Sequence, residues 1–225
     1  MATKKLTTEK KSTPKFSKEI LIGMYMNHVL EHETMPKSVY KFAKENGISE
    51  DQFYEYFGSF DSLKKGVWNQ FYSNTMDLLN KSLEFEAFFP KDKLLTFYYT
   101  FFELLTANRS YVLLALNENP DKFKNLEQLK GLRKHVKGFS RELIIEGNET
   151  KNPNFLKQSE TIFSEAAWVQ FLFILKFWID DNSAKFESTD VIIEKSVNTV
   201  FELFDNTPLE RILDLGKFLW KEKMN

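Results

Sequence analysis

Apolar residues recur at three- and four-residue spacing along nearly the whole chain, and long strand-like alternation is missing. That period is the mark of amphipathic helices with one buried face. It predicts a first helix over about 18–32, with Ile20, Met24, Val29 and Leu30 facing inward. Ser38 then reads as the cap of a short helix reaching Asn46, with Val39, Phe42 and Ala43 inward. Gly47 is placed for a turn in the left-handed region. Ser49 caps a third helix, with Gln52 in the capping-box position. Gly58 and Ser59 precede a long helix over 60–82. Further helices are predicted near 91–107, 109–117, 122–146, 155–181, 189–205 and 208–222, punctuated by Pro90, Pro120, Pro153 and Pro208. The stretch EGNETKNPN, residues 146–154, is the clearest internal loop, and residues 1–17, polar and rich in Thr and Lys, read as a disordered tail.

Composition narrows the class. The chain has 225 residues, 42% of them hydrophobic, which suffices for a sizeable core. With 23 Phe that core is aromatic, and no Cys is present. Disulfides, thiolate zinc sites and cysteine nucleophiles are therefore excluded, in keeping with a reducing compartment. Ile20–Met26, the first apolar run, lies behind a long lysine-rich tail and lacks the small residues of a cleavage site. The most apolar stretch, residues 166–179, is broken by Gln170 and Lys176 and falls short of the ~20 residues of a spanning helix. The expectation is a soluble, cytoplasmic protein. Net charge is −1 but uneven: residues 1–18 carry six Lys against one Glu, whereas residues 19–70 carry five Lys against eight acids.

Residues 37–67, KSVYKFAKENGISEDQFYEYFGSFDSLKKGV, carry a recognisable pattern. A hydroxyl residue and Val open the second helix (Ser38, Val39), an aromatic–Ala pair follows (Phe42, Ala43), and Gly47-Ile48-Ser49 forms the turn. Phe53-Tyr54 and Tyr56-Phe57 come next, then Ser59, Asp61 and Leu63 at the head of the fourth helix. This segment resembles the N-terminal module of TetR-type regulators. The resemblance implies an all-α fold with an N-terminal three-helix helix-turn-helix module and a larger C-terminal helical ligand-binding and dimerisation domain. It divides the chain into a basic tail (1–17), a DNA-binding-like domain (18–65) and an effector-binding and dimerisation domain (66–225). The DNA contacts it implies are Lys37, Ser38, Tyr40, Lys41, Lys44, Ser49, Gln52 and Tyr54. The departures from the family pattern fall where phosphates are gripped. Tyr40 stands where a basic residue is common, Glu50 and Asp51 where Lys or Arg and a small residue are common, and Phe60 where Lys is usual. Phosphate contacts supply most sequence-independent affinity, so the acidic start of the third helix opposes DNA while suiting the helix dipole. The basic tail is a second route to a groove.

The larger domain is expected to hold a bulky apolar ligand. In TetR-like folds the middle helices enclose an effector cavity, and Phe97, Tyr98, Phe101, Phe102, Leu105, Trp168 and Phe171 are the candidate lining, with plain core packing as the alternative for each. Arg109, His135 and Glu165 are candidate polar anchors. Helices 155–181 and 189–205 stand where this family builds its dimer interface. Phe163, Ala167, Gln170, Ile174 and Phe177 trace one stripe, and Trp168, Phe171, Leu172, Leu175 and Trp178 another. One stripe is expected to face the core and the other a second copy. The last predicted helix sets Leu209, Ile212, Leu213, Leu219 and Trp220 on one side, with Lys217, Lys221 and Lys223 near its end. It either docks on the domain or meets a membrane surface. A lipid-binding accessory protein of ubiquinone biosynthesis shares this layout without DNA activity, which supplies the alternative function.

The motif His28-x-x-Glu31-His32 matches a zinc-peptidase spacing. It lacks a third ligand on a suitable scaffold, and neither a phosphate loop nor a nucleophile motif accompanies it. The reading is therefore a non-enzymatic protein without metal or cofactor: a homodimeric, DNA-binding regulator responsive to an apolar molecule, or a lipid-binding relative.

Overall fold

The computed structural model of the chain describes residues 16–149 and 158–206. No strand occurs among them. The expected helix at 208–222, most of the basic tail and the second half of the 146–154 loop lie outside the described residues. The chain divides between Ser59 and Phe60 into two compact units.

The smaller unit contains α1 (Lys18–His32), α2 (Val39–Glu45) and α3 (Glu50–Tyr56). Each helix is opened by a serine whose hydroxyl accepts a backbone N–H: Ser17 from Ile20, Ser38 from Lys41 and Ser49 from Gln52. Ser17 and Phe16 were expected in the tail, but they are tied down. The Tyr56 hydroxyl donates to the Phe16 carbonyl at 3.1 Å, and the two rings meet at 5.8 Å. The inward face of α1 also differs from expectation. Leu21, Ile22, Tyr25 and Val29 are buried, whereas Leu30 is exposed. Tyr25 displaces the expected set because its ring meets Phe42 edge-on, and Phe42 in turn meets Phe53. That aromatic chain is the core of the unit.

The larger unit is built on five long helices: α4 (Phe60–Leu79), α6 (Pro90–Ala107), α9 (Lys130–Glu149), α10 (Glu160–Asp180) and α11 (Glu187–Asn206). Shorter helices α5 (Leu83–Ala87), α7 (Arg109–Leu116) and α8 (Lys122–Leu126) connect them. The chain departs from the predicted boundaries where polar side chains stop a helix. Asn125 bonds both ways with the backbone of Asn119, so the predicted helix 122–146 breaks into α8, a 3-10 turn and α9. Residues 146–149, expected as loop, remain in α9. Asn148 then closes that end with paired bonds to the backbone of Gln158.

Contacts fix the directions. Arg133 and Lys137 reach Glu165 while Arg141 reaches Glu160, so α9 and α10 run antiparallel. Phe97 meets Phe139 and Lys93 meets Glu146, making α6 antiparallel to α9 as well. Helix α10 is 21 residues long, and by length and composition it is apolar enough to cross a membrane, contrary to the shorter estimate from sequence. Half of its apolar window is nevertheless buried inside its own unit.

One buried polar contact joins α4 to the α7–α9 segment. The Trp68 indole donates to Gln128 Oε1 at 2.8 Å, and the Gln128 amide donates to the carbonyls of Ala115 and Asn125. Replacing Trp68 with Phe removes the indole N–H, strands the Gln128 oxygen away from water and leaves a small void where the five-membered ring was. We expect a loss of ~1–3 kcal/mol for such an orphaned group. It should appear as a lower denaturant midpoint for the larger unit.

Candidate functional site

In the smaller unit the turn between α2 and α3 is set by Gly47, whose φ of 66° favours glycine. Ile48 N donates to the Ala43 carbonyl at 3.0 Å, which closes the end of α2. At the start of α3 a full capping box forms: Gln52 N donates to Ser49 Oγ at 3.2 Å and Ser49 N donates to Gln52 Oε1 at 2.9 Å. Ser38, Ser49 and Gln52 therefore direct polar atoms to their own backbone. Tyr40 and Tyr54 are more than half exposed, at 61% and 52%. Lys37, Lys41 and Lys44 are exposed, and no ion pair to them occurs among the described residues. An open groove of about 460 Å³ brings Tyr40, Lys44 and Ser49 together with Glu50 and Asp51. Two carboxylates and one ammonium thus share one concavity.

The seven candidate ligand residues of the larger unit do converge. Phe97, Tyr98, Phe101 and Leu105 on α6 and Phe171 on α10 have no exposed surface, and Phe102 and Trp168 retain 3% and 8%. They pack ring on ring. Phe101 meets Phe171 at 5.4 Å, Phe102 meets it at 5.7 Å, and Trp168 stacks on it at 5.3 Å. The Tyr98 hydroxyl donates to the Ala167 carbonyl at 3.0 Å, and burial pushes its pKa up.

The polar anchors do not join this cluster. Arg109 donates to the carbonyls of Trp178, Ile179 and Asp181, and its guanidinium lies 4.5 Å from the Trp178 ring and 4.6 Å from the Phe186 ring. It caps the C-terminus of α10. His135 stacks on Tyr72, and Glu165 is held by Arg133 and Lys137. No spacing in the sequence marked Arg109 as a helix cap, because its partners lie about seventy residues away.

The two stripes on α10 are also assigned differently from expectation. Phe163, Ala167, Gln170 and Ile174 from one, and Trp168, Phe171, Leu175 and Trp178 from the other, are all buried within the unit. The apolar face left open is a third one: Val169 is 65% exposed and Phe173 51%. They flank an apolar groove of about 660 Å³ against α11, with Ala166, Ile192 and Val200 among its walls.

Residues 93–219, more than half of the chain, match the family described as Tetracyclin repressor-like, C-terminal domain. The chain belongs to the TetR-like family. No curated protein matches it. The match covers the larger unit from α6 onward, so family membership rests on the part of the chain in which the sequence offered no quotable motif.

The histidine motif of this TetR-like chain lies on α1. The rings of His28 and His32 stack at 4.2 Å, and His28 Nδ1 lies 3.3 Å from a Glu45 oxygen. Among the described residues no group of three or more His, Cys, Asp or Glu is arranged around a common metal position. Burial lowers the His28 pKa, the neighbouring His32 adds to the effect, and Glu45 and Glu31 oppose it. The folded state then binds its proton less readily than the unfolded chain, whose value is about 6.5. This contribution to stability is full above that value and is lost as pH falls through the lower folded pKa. Between about pH 7.5 and 5 the unfolding midpoint of the smaller unit should fall, and His28→Gln should flatten the dependence. A midpoint that rises on acidification would show that Glu45 dominates.

Proposed function

We propose that the chain is a homodimeric, DNA-binding transcriptional regulator whose larger unit answers to a bulky apolar small molecule, working in the cytoplasm and without catalytic activity or cofactor. The observation that carries the reading is the capped α2–turn–α3 unit in a chain whose remainder belongs to the TetR-like family. DNA contact comes from Lys37, Lys41 and Lys44, from Tyr40 and Tyr54 at base or sugar edges, and from the basic tail. The acids Glu50 and Asp51 at the head of α3 weaken it. Specificity then depends on few direct base contacts.

The second copy covers Val169 and Phe173. An open apolar face of this kind, continuous with the groove against α11, suits a two-fold interface in which the same patch meets itself. An apolar effector reaches the ring cluster by displacing rings. Phe139, which meets Phe97, and Trp168 retain 7% and 8% exposure and form the natural door.

Two outcomes follow. Scattering at micromolar concentration should give about twice 26.6 kDa for the wild type, and half that dimer mass for Phe173→Glu. A wild-type monomer would remove the dimer from the proposal. On the DNA upstream of its own gene, a gel shift at two salt concentrations should show strong salt dependence. Deleting residues 1–15, which spares Phe16 and the Ser17 cap, should remove most of the affinity and lower the slope of log K against log salt by about one unit per lost phosphate contact. Changing Glu50 to Lys and Asp51 to Gly should strengthen non-specific binding. No shift with any of these proteins would favour the lipid-binding alternative, and tight tail-independent binding would overturn the role given to the tail.

A further inference from the structure

The larger unit carries a second apolar groove, set apart from the ring cluster and from the proposed dimer face. It has a volume of about 250 Å³ and lies where the start of α6, the last turns of α9 and the end of α11 converge. Phe89 and Pro90 form one wall, Leu143 and Ile144 the second, and Phe201 and Phe204 the third. The floor is firm. Ile144 and Phe204 are at least 95% buried and belong to one apolar cluster with Phe163, which meets Phe204 at 4.8 Å. The rim is not: Phe89 stands 77% exposed, an arrangement that forgoes the stabilisation its burial would supply.

Charge at the rim is specific. Lys91 lines the groove, and no ion pair to it occurs among the described residues. Its neighbour Lys93 is already engaged by both oxygens of Glu146. Lys91 also sits in the first turn of α6, an 18-residue helix whose N-cap, Phe89, provides no side-chain acceptor for the free amides. Asp92 in the same first turn already opposes the helix dipole, so it is the Lys91 ammonium that favours an anion at this edge. Glu202, on the α11 wall, keeps a negative head away from the opposite edge.

We propose that this groove binds a free single-chain monocarboxylate, a medium-chain fatty acid, with the alkyl chain on Ile144, Phe201 and Phe204 and the carboxylate at Lys91. The volume favours one chain, because pockets for bulky ligands run to roughly 300–1,000 Å³. The site needs no ring of the central cluster to move, and it is independent of whether that cluster takes an effector.

The experiment uses the full chain with methyl-labelled Ile and Leu, titrated with decanoate below its micellar concentration, with decanol and acetate as controls. Decanoate should shift the Ile144 and Leu143 methyl resonances saturably, decanol more weakly, and acetate not at all. Lys91→Ala should weaken decanoate by about threefold to fivefold, the scale of an exposed ion pair, and leave decanol unchanged. Phe89→Ala, at an exposed position that leaves the fold intact, should weaken both alkyl probes. Decanoate that shifts Leu94 and Leu105 instead, with no effect of Lys91→Ala, would overturn the proposal while supporting the ring cluster as an effector site. No saturable shift at Ile144 or Leu143 would overturn it outright.

Discussion

Helix α10 constrains the larger unit more than any other element. Its apolar side chains point in nearly every direction, and such a helix is stable in water only when covered all round. Its neighbours supply the cover in three strips: α9 through a ladder of ion pairs over a buried seam, α6 through the rings that surround Phe171, and α11 through Phe201 and Phe204 on Phe163. What remains is Val169 and Phe173. The open face is thus the remainder of a packing problem with one neighbour too few. Arg109 completes the same logic at the end of the helix. Carbonyls left without intrahelical partners beside apolar rings need donors, and a guanidinium stacked between Trp178 and Phe186 supplies three bonds.

The smaller unit resolves a different conflict. Acids in the first turn stabilise a short helix by opposing its dipole, by about 0.3–1 kcal/mol each. The same acids repel a phosphate. A seven-residue helix such as α3 has little packing of its own, with Phe53 its one buried side chain, so local terms weigh heavily. The capping box and the two acids secure the helix at the expense of the charge a DNA reader needs. Of the lysines in residues 37–44, Lys41 and Lys44 lie on α2 and Lys37 just before it, none of them on α3.

Helix existence was legible because the three-to-four spacing is strong, and the short helices of the smaller unit were legible because Ser38, Gly47 and Ser49 punctuate them. What failed to show was tertiary choice. On α1 the expected inward set was Ile20, Met24, Val29 and Leu30, but the contact of Tyr25 with Phe42 turns the buried face to Leu21, Ile22, Tyr25 and Val29. On α10 two stripes were visible, yet nothing in a helix apolar all round says which strip is left over. The break at Asn125 depends on a bond to Asn119 inside a loop, and Gln128 becomes a core residue only because Trp68 arrives from sixty residues away. Phe101, Phe102, Trp168 and Phe171 meet in space because aromatic residues at helical spacing on two buried helices must meet. Their closure, ring on ring, is a matter of side-chain geometry that spacing does not carry.

That closure shapes how an effector acts. A ligand shifts a conformational equilibrium only by its difference in affinity for the two states. A molecule entering the ring cluster separates Trp168 or Phe139 from its neighbours and loses contacts worth about 0.5–1.5 kcal/mol per ring pair before making its own. Such a molecule would select a rearranged unit strongly but bind weakly overall. An alkyl chain in the α6–α9–α11 groove has the opposite balance, since its walls are already apart and little is displaced. The two are joined through Ile144 and Phe163, which lie under the groove and on the same helices as Phe139 and Trp168.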